Sequence, residues 1–239
     1  MFGNKGEKAA QDAAVSAEVE RLISLPVAAL GTGATCAVSA GTAAAASGTP
    51  APAGDHGHGP GYRDRPDPYQ FLPKVPSFTV VSTTVRNGHP LPVAQLSGIF
   101  GVPGGKDISP ELSWSGFPKQ TKSFVVSMYD PEAPTGSGFW HWIVEDIPAT
   151  TSLAQGAGAL NSTTLPAGAI QLDGDAGTPR YIGGAPPAGS GIHDYYITVT
   201  ALNEPSTGLG ATTSGALLGF EIDSHSIARA TLICPTSIP

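Results

Sequence analysis

Between residues 31 and 60, 25 of 30 residues are Ala, Gly, Thr, Ser or Pro. Such a stretch has too little apolar surface to offset the entropy of ordering it. It therefore reads as a flexible linker, and any folded domain has to be built from what lies beyond it. The linker ends in Asp55-His56-Gly57-His58-Gly59. Two histidines in a glycine-rich tail are too few for a built metal site, so no metal is expected.

Ahead of the linker, Val15, Val19, Leu22 and Ile23 fall on one helical face of residues 7–25, and Pro26 ends the pattern. The other face carries acidic and polar residues, which argues against a membrane-surface helix. This helix is a candidate handle for a protein partner or for self-assembly. The organisation expected is a helical extension over 1–30, a linker over 31–66 and one folded domain over 67–239.

Beyond residue 67 the texture changes. Phe78–Val85, Ser123–Tyr129, Phe139–Val144 and Tyr195–Leu202 are rich in β-branched and aromatic residues. Gly- and Pro-rich stretches separate them, and the four runs read as strands. Near the end, Asp223 or Ser224 is placed to cap a helix running through Ile227, Ala230 and Leu232. Strands followed by a late helix predict a mainly β fold, an antiparallel domain with a few peripheral helices.

Composition narrows the function. Charged residues make up only 13%, and the net charge is −7, so phosphate-backbone neutralisation of nucleic acid is not expected. No run of eighteen apolar residues occurs, so no membrane span is expected. Charges at Glu7, Asp12, Glu18, Glu20 and Arg21 break any apolar core at the N-terminus, and a cytoplasmic location follows as the expectation. Cys36 and Cys234 lack metal spacing, and Cys36 falls in the linker, so a structural disulfide is not expected.

Three segments concentrate chemistry. Asp130-Pro131-Glu132-Ala133-Pro134 follows a strand directly, and its prolines fix the backbone as two carboxylates leave the sheet. In Gly138-Phe139-Trp140-His141-Trp142, strand alternation puts both tryptophans on one face and His141 on the other. A Gly/Pro loop, Gly183 to Gly191, runs into Ile192-His193-Asp194-Tyr195. There His193 and Tyr195 share a face, and Asp194 points away. Together the segments suit one anion-accepting cavity, because imidazole and glycine N–H groups donate to phosphate, sulfate or carboxylate. Asp130 is placed to orient a histidine or keep it cationic.

The order Asp-Pro-x-Ala-Pro, Trp-His and Gly-x-His-x-Tyr resembles the phosphatidylethanolamine-binding proteins, also called Raf kinase inhibitor-like proteins, in their bacterial branch. Ile108–Trp114, Pro134–Trp142, Tyr181 and Gly183–Pro187 support the resemblance, and His225–Ala230 resembles the family's final helix. The resemblance covers about residues 67–235. It implies an antiparallel β-sandwich with a pocket for phosphate-like anions and phospholipid headgroups. Carried over motif by motif, the ligand-binding positions are Asp130, Glu132, His141, Gly184, Pro187, His193 and Tyr195. No cofactor is implied. Bacterial members are often dimeric, so a homodimer is an expected assembly.

Three departures stand out. Glu132 occupies a position where the family usually has aspartate. Asp194 stands where a basic residue usually follows the histidine, and an altered neighbouring surface is expected there. Ala185 replaces a proline. Binding of a small anionic ligand or lipid headgroup, with modulation of a partner protein, is the leading functional reading. An enzyme remains the alternative. In it His141 and His193 act as acid and base with Asp130 tuning them, for proton transfer, cyclisation or hydrolysis.

Overall fold

The structure, a computed structural model, describes residues 67–239. The expectations for residues 1–30 and 31–66, including the 7–25 helix, the two linker histidines and Cys36, lie outside them.

Among the described residues eight strands form two antiparallel sheets. The smaller contains β1 (Thr79–Val81), β2 (Leu112–Ser115) and β5 (Ser152–Leu153) in the order β1-β2-β5. The larger contains β3 (Ser123–Asp130), β4 (Phe139–Pro148), β6 (Ile170–Gln171), β7 (His193–Leu202) and β8 (Ser226–Thr236) in the order β6-β4-β3-β7-β8. Leu112, Trp114 and Leu153 of the smaller sheet pack on Phe124, Val126, Met128, Ile197 and Val199 of the larger. The domain is thus an antiparallel β-sandwich.

The apolar continuity of β3 has a simple cause. Its even-numbered residues face the smaller sheet, and Val125 faces a second cluster with Ile143, Leu202, Leu209 and Leu218. With both faces covered, the strand does not need polar alternation. The second cluster is closed by the helix α1 (Gly215–Ile222), whose Ser214 side chain accepts the Leu217 N–H at 3.2 Å as an N-cap.

Two expectations change. The first run pairs only over Thr79–Val81, because the Ser82 hydroxyl accepts the N–H groups of Thr84 and Val85, each at 3.1 Å, and turns the chain out of the sheet. The helix expected through Ile227, Ala230 and Leu232 is a strand. After α1 and a short 3-10 turn (Asp223–His225), β8 pairs with β7 from Leu202↔Ser226 to His193↔Thr236. Ala228, Ala230, Leu232, Cys234 and Thr236 all face inward. This period of two, together with a full-length partner strand, outweighs the local helical spacing. Cys234 is a buried free thiol, and burial pushes its pKa up to about 12.

Among the described residues no helix is long and apolar enough to cross a membrane.

Candidate functional site

The site forms where β3 ends, β4 bulges and β7 begins. Asp130 is the last residue of β3, and Pro131 takes the chain out of the ladder. His193 is the first residue of β7. Their side chains meet, with His193 Nδ1 and Asp130 Oδ2 at 2.8 Å and each side chain only 3% exposed. The other oxygen, Asp130 Oδ1, accepts the Glu132 N–H at 2.9 Å. That bond fixes the carboxylate rotamer before any ligand arrives. On the far side of the ring, His193 Nε2 lies 2.9 Å from Ser190 Oγ. The hydrogen bond to the carboxylate places the Nδ1 proton toward Asp130, which leaves Nε2 turned toward the loop.

That loop is glycine-dependent for a backbone reason. Gly189 and Gly191, on either side of Ser190, have φ of 74° and 95°, a region that L side chains seldom adopt. Among the described residues the N–H groups of Gly191 and Ile192 donate no hydrogen bond.

His141 arrives by a different device. Met128 pairs with Trp142 but Tyr129 pairs with Trp140, so β4 carries one extra residue at this point, and that residue is His141. The β-bulge changes the alternation. Trp142 is fully buried in the inter-sheet core, whereas Trp140 packs against the second cluster on the opposite face. The tryptophans therefore do not share a face, contrary to the simple strand reading. The bulge re-aims the His141 ring onto Tyr195, at 5.2 Å and 71° between planes, and onto Phe139 at 4.8 Å. His141 Nδ1 is 3.1 Å from the Ile182 carbonyl. Burial pushes the His141 pKa down to about 4, against a smaller opposing pull from Asp130. The ring is neutral at neutral pH, with Nδ1–H donated to Ile182.

Tyr195 shares the inner face with His193, as alternation predicts. Its hydroxyl accepts the Ala185 N–H at 3.0 Å. Burial first, and then the Asp130 carboxylate, raise its pKa far above the usual tyrosine value, so it stays a phenol. Gly184 is required for space. A Cβ there would lie 2.6 Å from Leu91 Cδ1 and 3.1 Å from Tyr195 Cζ. Its backbone is clamped against the Leu96 segment, with Gly184 N donating to Gln95 O at 3.1 Å and Ser97 N to Gly184 O at 3.0 Å.

The remaining predicted residues sit elsewhere. Glu132 turns its carboxylate to the backbone, where Oε2 accepts the Asp194 N–H at 2.9 Å. The longer side chain replaces the strand partner that β3 ceases to provide after Pro131. Asp194 is fully buried rather than part of an altered surface. Pro187 is exposed, and its carbonyl accepts the Ser190 N–H at 3.0 Å in a turn, while Pro186 is the buried proline of the pair.

Two supporting residues escaped the sequence reading. Ser190 contacts His193 directly, but one serine among many in a Gly/Pro loop carries no signal. Asp107 is buried in the left-handed region, φ 51°, and gathers three donors: Gly183 N at 2.8 Å, Ser97 Oγ at 2.8 Å and Ile99 N at 2.9 Å. It locks the chain next to Ile182, the acceptor for His141. Its position just before Ile108-Ser109-Pro110 is the one hint the sequence offered. Among the described residues no group of three His, Cys, Asp or Glu could hold a metal ion.

The comparisons with known proteins agree with this architecture. The family model described as phosphatidylethanolamine-binding protein matches residues 81–236. The UPF0098 protein YbcL of Escherichia coli is 42% identical over 161 residues, which cover 67% of this chain and 87% of that protein. The UPF0098 protein YbhB of the same organism is 42% identical over 154 residues, covering 64% and 96%. The crystal structure of E. coli YbcL, described as a new member of the mammalian PEBP family, superposes with a TM-score of 0.66 at 40% identity. That match covers 68% of this chain and 99% of the other. The crystal structure of the homologue CT736 from Chlamydia trachomatis follows at a TM-score of 0.56 and 27% identity, covering 68% and 99%.

Proposed function

Since this chain belongs to the phosphatidylethanolamine-binding protein family, we propose that its Asp130–His193 site binds the phosphate of a small anionic ligand or lipid headgroup. One observation carries the reading. His193 is anchored through Nδ1 to a buried carboxylate, and its Nε2 faces a glycine loop with N–H groups to spare. Anchored by Asp130, His193 meets a phosphate oxygen at Nε2 through one shared proton, displacing or recruiting the Ser190 hydroxyl. The Gly191 and Ile192 N–H groups supply neutral donors, which together form an anion nest. Neutral His141 presents Nε2 as an acceptor, suited to a protonated phosphate oxygen or to an ammonium on the same ligand. Titration calorimetry of the full chain with phosphate, phosphoethanolamine and acetate tests this. Saturable binding of the two phosphates, lost in His193→Ala, supports it. Equal heats in wild type and variant refute it.

A second reading rests on a specific observation. Ser190 Oγ, His193 and Asp130 stand in series at 2.9 and 2.8 Å, the order of a nucleophile, its base and the carboxylate that orients the base. In this reading Ser190 Oγ attacks an ester carbonyl and His193 Nε2 takes its proton, then returns it to the departing alcohol. Water, activated by the same histidine, frees the acid and restores Ser190. A fluorophosphonate probe decides the matter. An adduct on Ser190 that is absent from His193→Ala supports hydrolysis, and no adduct leaves the anion-binding reading alone.

A further inference from the structure

The face of the larger sheet turned away from the smaller one carries a groove of about 480 Å³ that the Asp130–His193 site does not use. Its floor includes Val125, Thr200 and Arg229 on three adjacent strands, and α1 and residues 68–72 form its walls. The volume falls in the range of small-molecule sites, roughly 300–1,000 Å³. The walls are apolar, with Leu72, Leu218 and Ile222 along them. Phe71 and Phe220, which also line it, are 90% and 74% exposed. Single exposed aromatics are ordinary, but a pair flanking an open apolar groove marks a contact site.

The charge inside the groove identifies the occupant. Arg229 is half-buried, with its guanidinium 5.5 Å over the Tyr69 ring. Among the described residues no carboxylate lies within ion-pair distance of it. Asp223, which lines the groove too, and Asp67 act on it only at longer range. A half-buried cation with a stacking partner and no carboxylate in contact among the described residues is incompletely compensated. An anion delivered by a ligand would supply the missing partner, in the planar two-point geometry that guanidinium favours. Thr200 lies directly opposite Arg229 in the β7–β8 register and lines the same groove.

We propose that this groove is a second ligand site, which takes a single-chain amphiphile with a carboxylate head. The head pairs with Arg229 beside Thr200, and the hydrocarbon tail lies along Leu72, Leu218 and Ile222. Trp140 also lines the groove and reports on filling by its fluorescence.

The test uses the full chain, with decanoate, decanol and acetate as probes below their aggregation limits. Decanoate is expected to bind saturably at one equivalent and to quench tryptophan fluorescence. Decanol is expected to bind about tenfold more weakly, and acetate not measurably, because both contact types are needed. Arg229→Gln is expected to remove the preference for decanoate over decanol while leaving decanol affinity in place. Retained decanol binding shows that the variant is folded. Ala216→Trp, at an exposed groove position, is expected to block both probes. His193→Ala is expected to change neither, which separates this site from the phosphate site. Absence of saturation in wild type, or an unchanged decanoate preference in Arg229→Gln, overturns the proposal. A dimer in sedimentation that Ala216→Trp splits, with no decanoate binding, assigns the groove to a second copy of the chain and also overturns it.

Discussion

Asp130 and His193 lie 63 residues apart in sequence, and their side chains meet at 2.8 Å with almost no solvent around them. Asp130→Asn keeps the shape and removes the charge, but its single oxygen faces two N–H donors, Glu132 N and His193 Nδ1, so one of them is left against the amide NH2. Phosphate affinity is expected to fall about tenfold or more, the scale of one lost charge-assisted interaction. The thermal midpoint is expected to fall as well, by the equivalent of about 1–3 kcal/mol for the buried N–H left without an acceptor. Calorimetry beside a thermal melt separates the two effects.

Gly184→Ala tests the packing under the site. The added Cβ meets Leu91 Cδ1 at 2.6 Å and Tyr195 Cζ at 3.1 Å. The Leu91 side chain can yield, but the Tyr195 ring is fully buried. Overpacking of this kind costs about 1–3 kcal/mol. Urea denaturation should show that loss, together with weaker phosphate binding as the Tyr195 ring is displaced.

Glu132 separates length from charge. Its carboxylate serves as acceptor for the Asp194 N–H. Glu132→Asp is one methylene too short to reach, and is expected to cost about 1–3 kcal/mol for an unsatisfied N–H in a partly buried setting. Glu132→Gln keeps an acceptor oxygen at the same reach and is expected to cost less. The difference between their denaturation midpoints is the measurement.

Two buried groups make opposing contributions to stability against pH. His141 titrates near 4 in the fold against 6.5 for a free histidine. The unfolded chain therefore binds the proton first as pH falls from 6.5 toward 4, so this residue makes stability rise with pH across that window. A shift of this size corresponds to about 3 kcal/mol when complete. Glu145 is raised from 4.5 to about 7, chiefly by burial. The folded chain keeps its proton longer, so Glu145 makes stability fall as pH rises from 4.5 to 7. Glu145→Gln is expected to expose the rising slope of His141, and His141→Phe the falling slope of Glu145. Denaturation midpoints at the two ends of the window check both signs.

Most of the sandwich was legible from period-two and β-branched runs, because β3, β4 and β7 are long and strongly biased. β8 was not, since Ile227, Ala230 and Leu232 also satisfy a helical spacing, and only pairing with β7 decides between the two. The short strands β5 and β6 have two residues each, too few for any pattern to emerge. In the site, the motifs placed Asp130 beside a histidine without choosing between His141 and His193, and the fold pairs it with His193. The aim of His141 did not, because alternation assumes an unbroken ladder and the bulge is set by the register against β3. Pro187 was carried over by motif position, but in the Pro186-Pro187 pair the turn buries the first proline and exposes the second.

Nitrogen-resolved NMR of the histidine side chains during phosphate titration tests whether the anion sits at His193 Nε2. A saturable shift of the His193 Nε2 resonance is expected as phosphate fills the site, with His193 Nδ1 still proton-bearing and hydrogen-bonded to Asp130. His141 is expected to remain neutral throughout. A titration in which the His193 resonances do not move, while phosphate binding is detected by heat, would place the anion away from the Asp130–His193 pair.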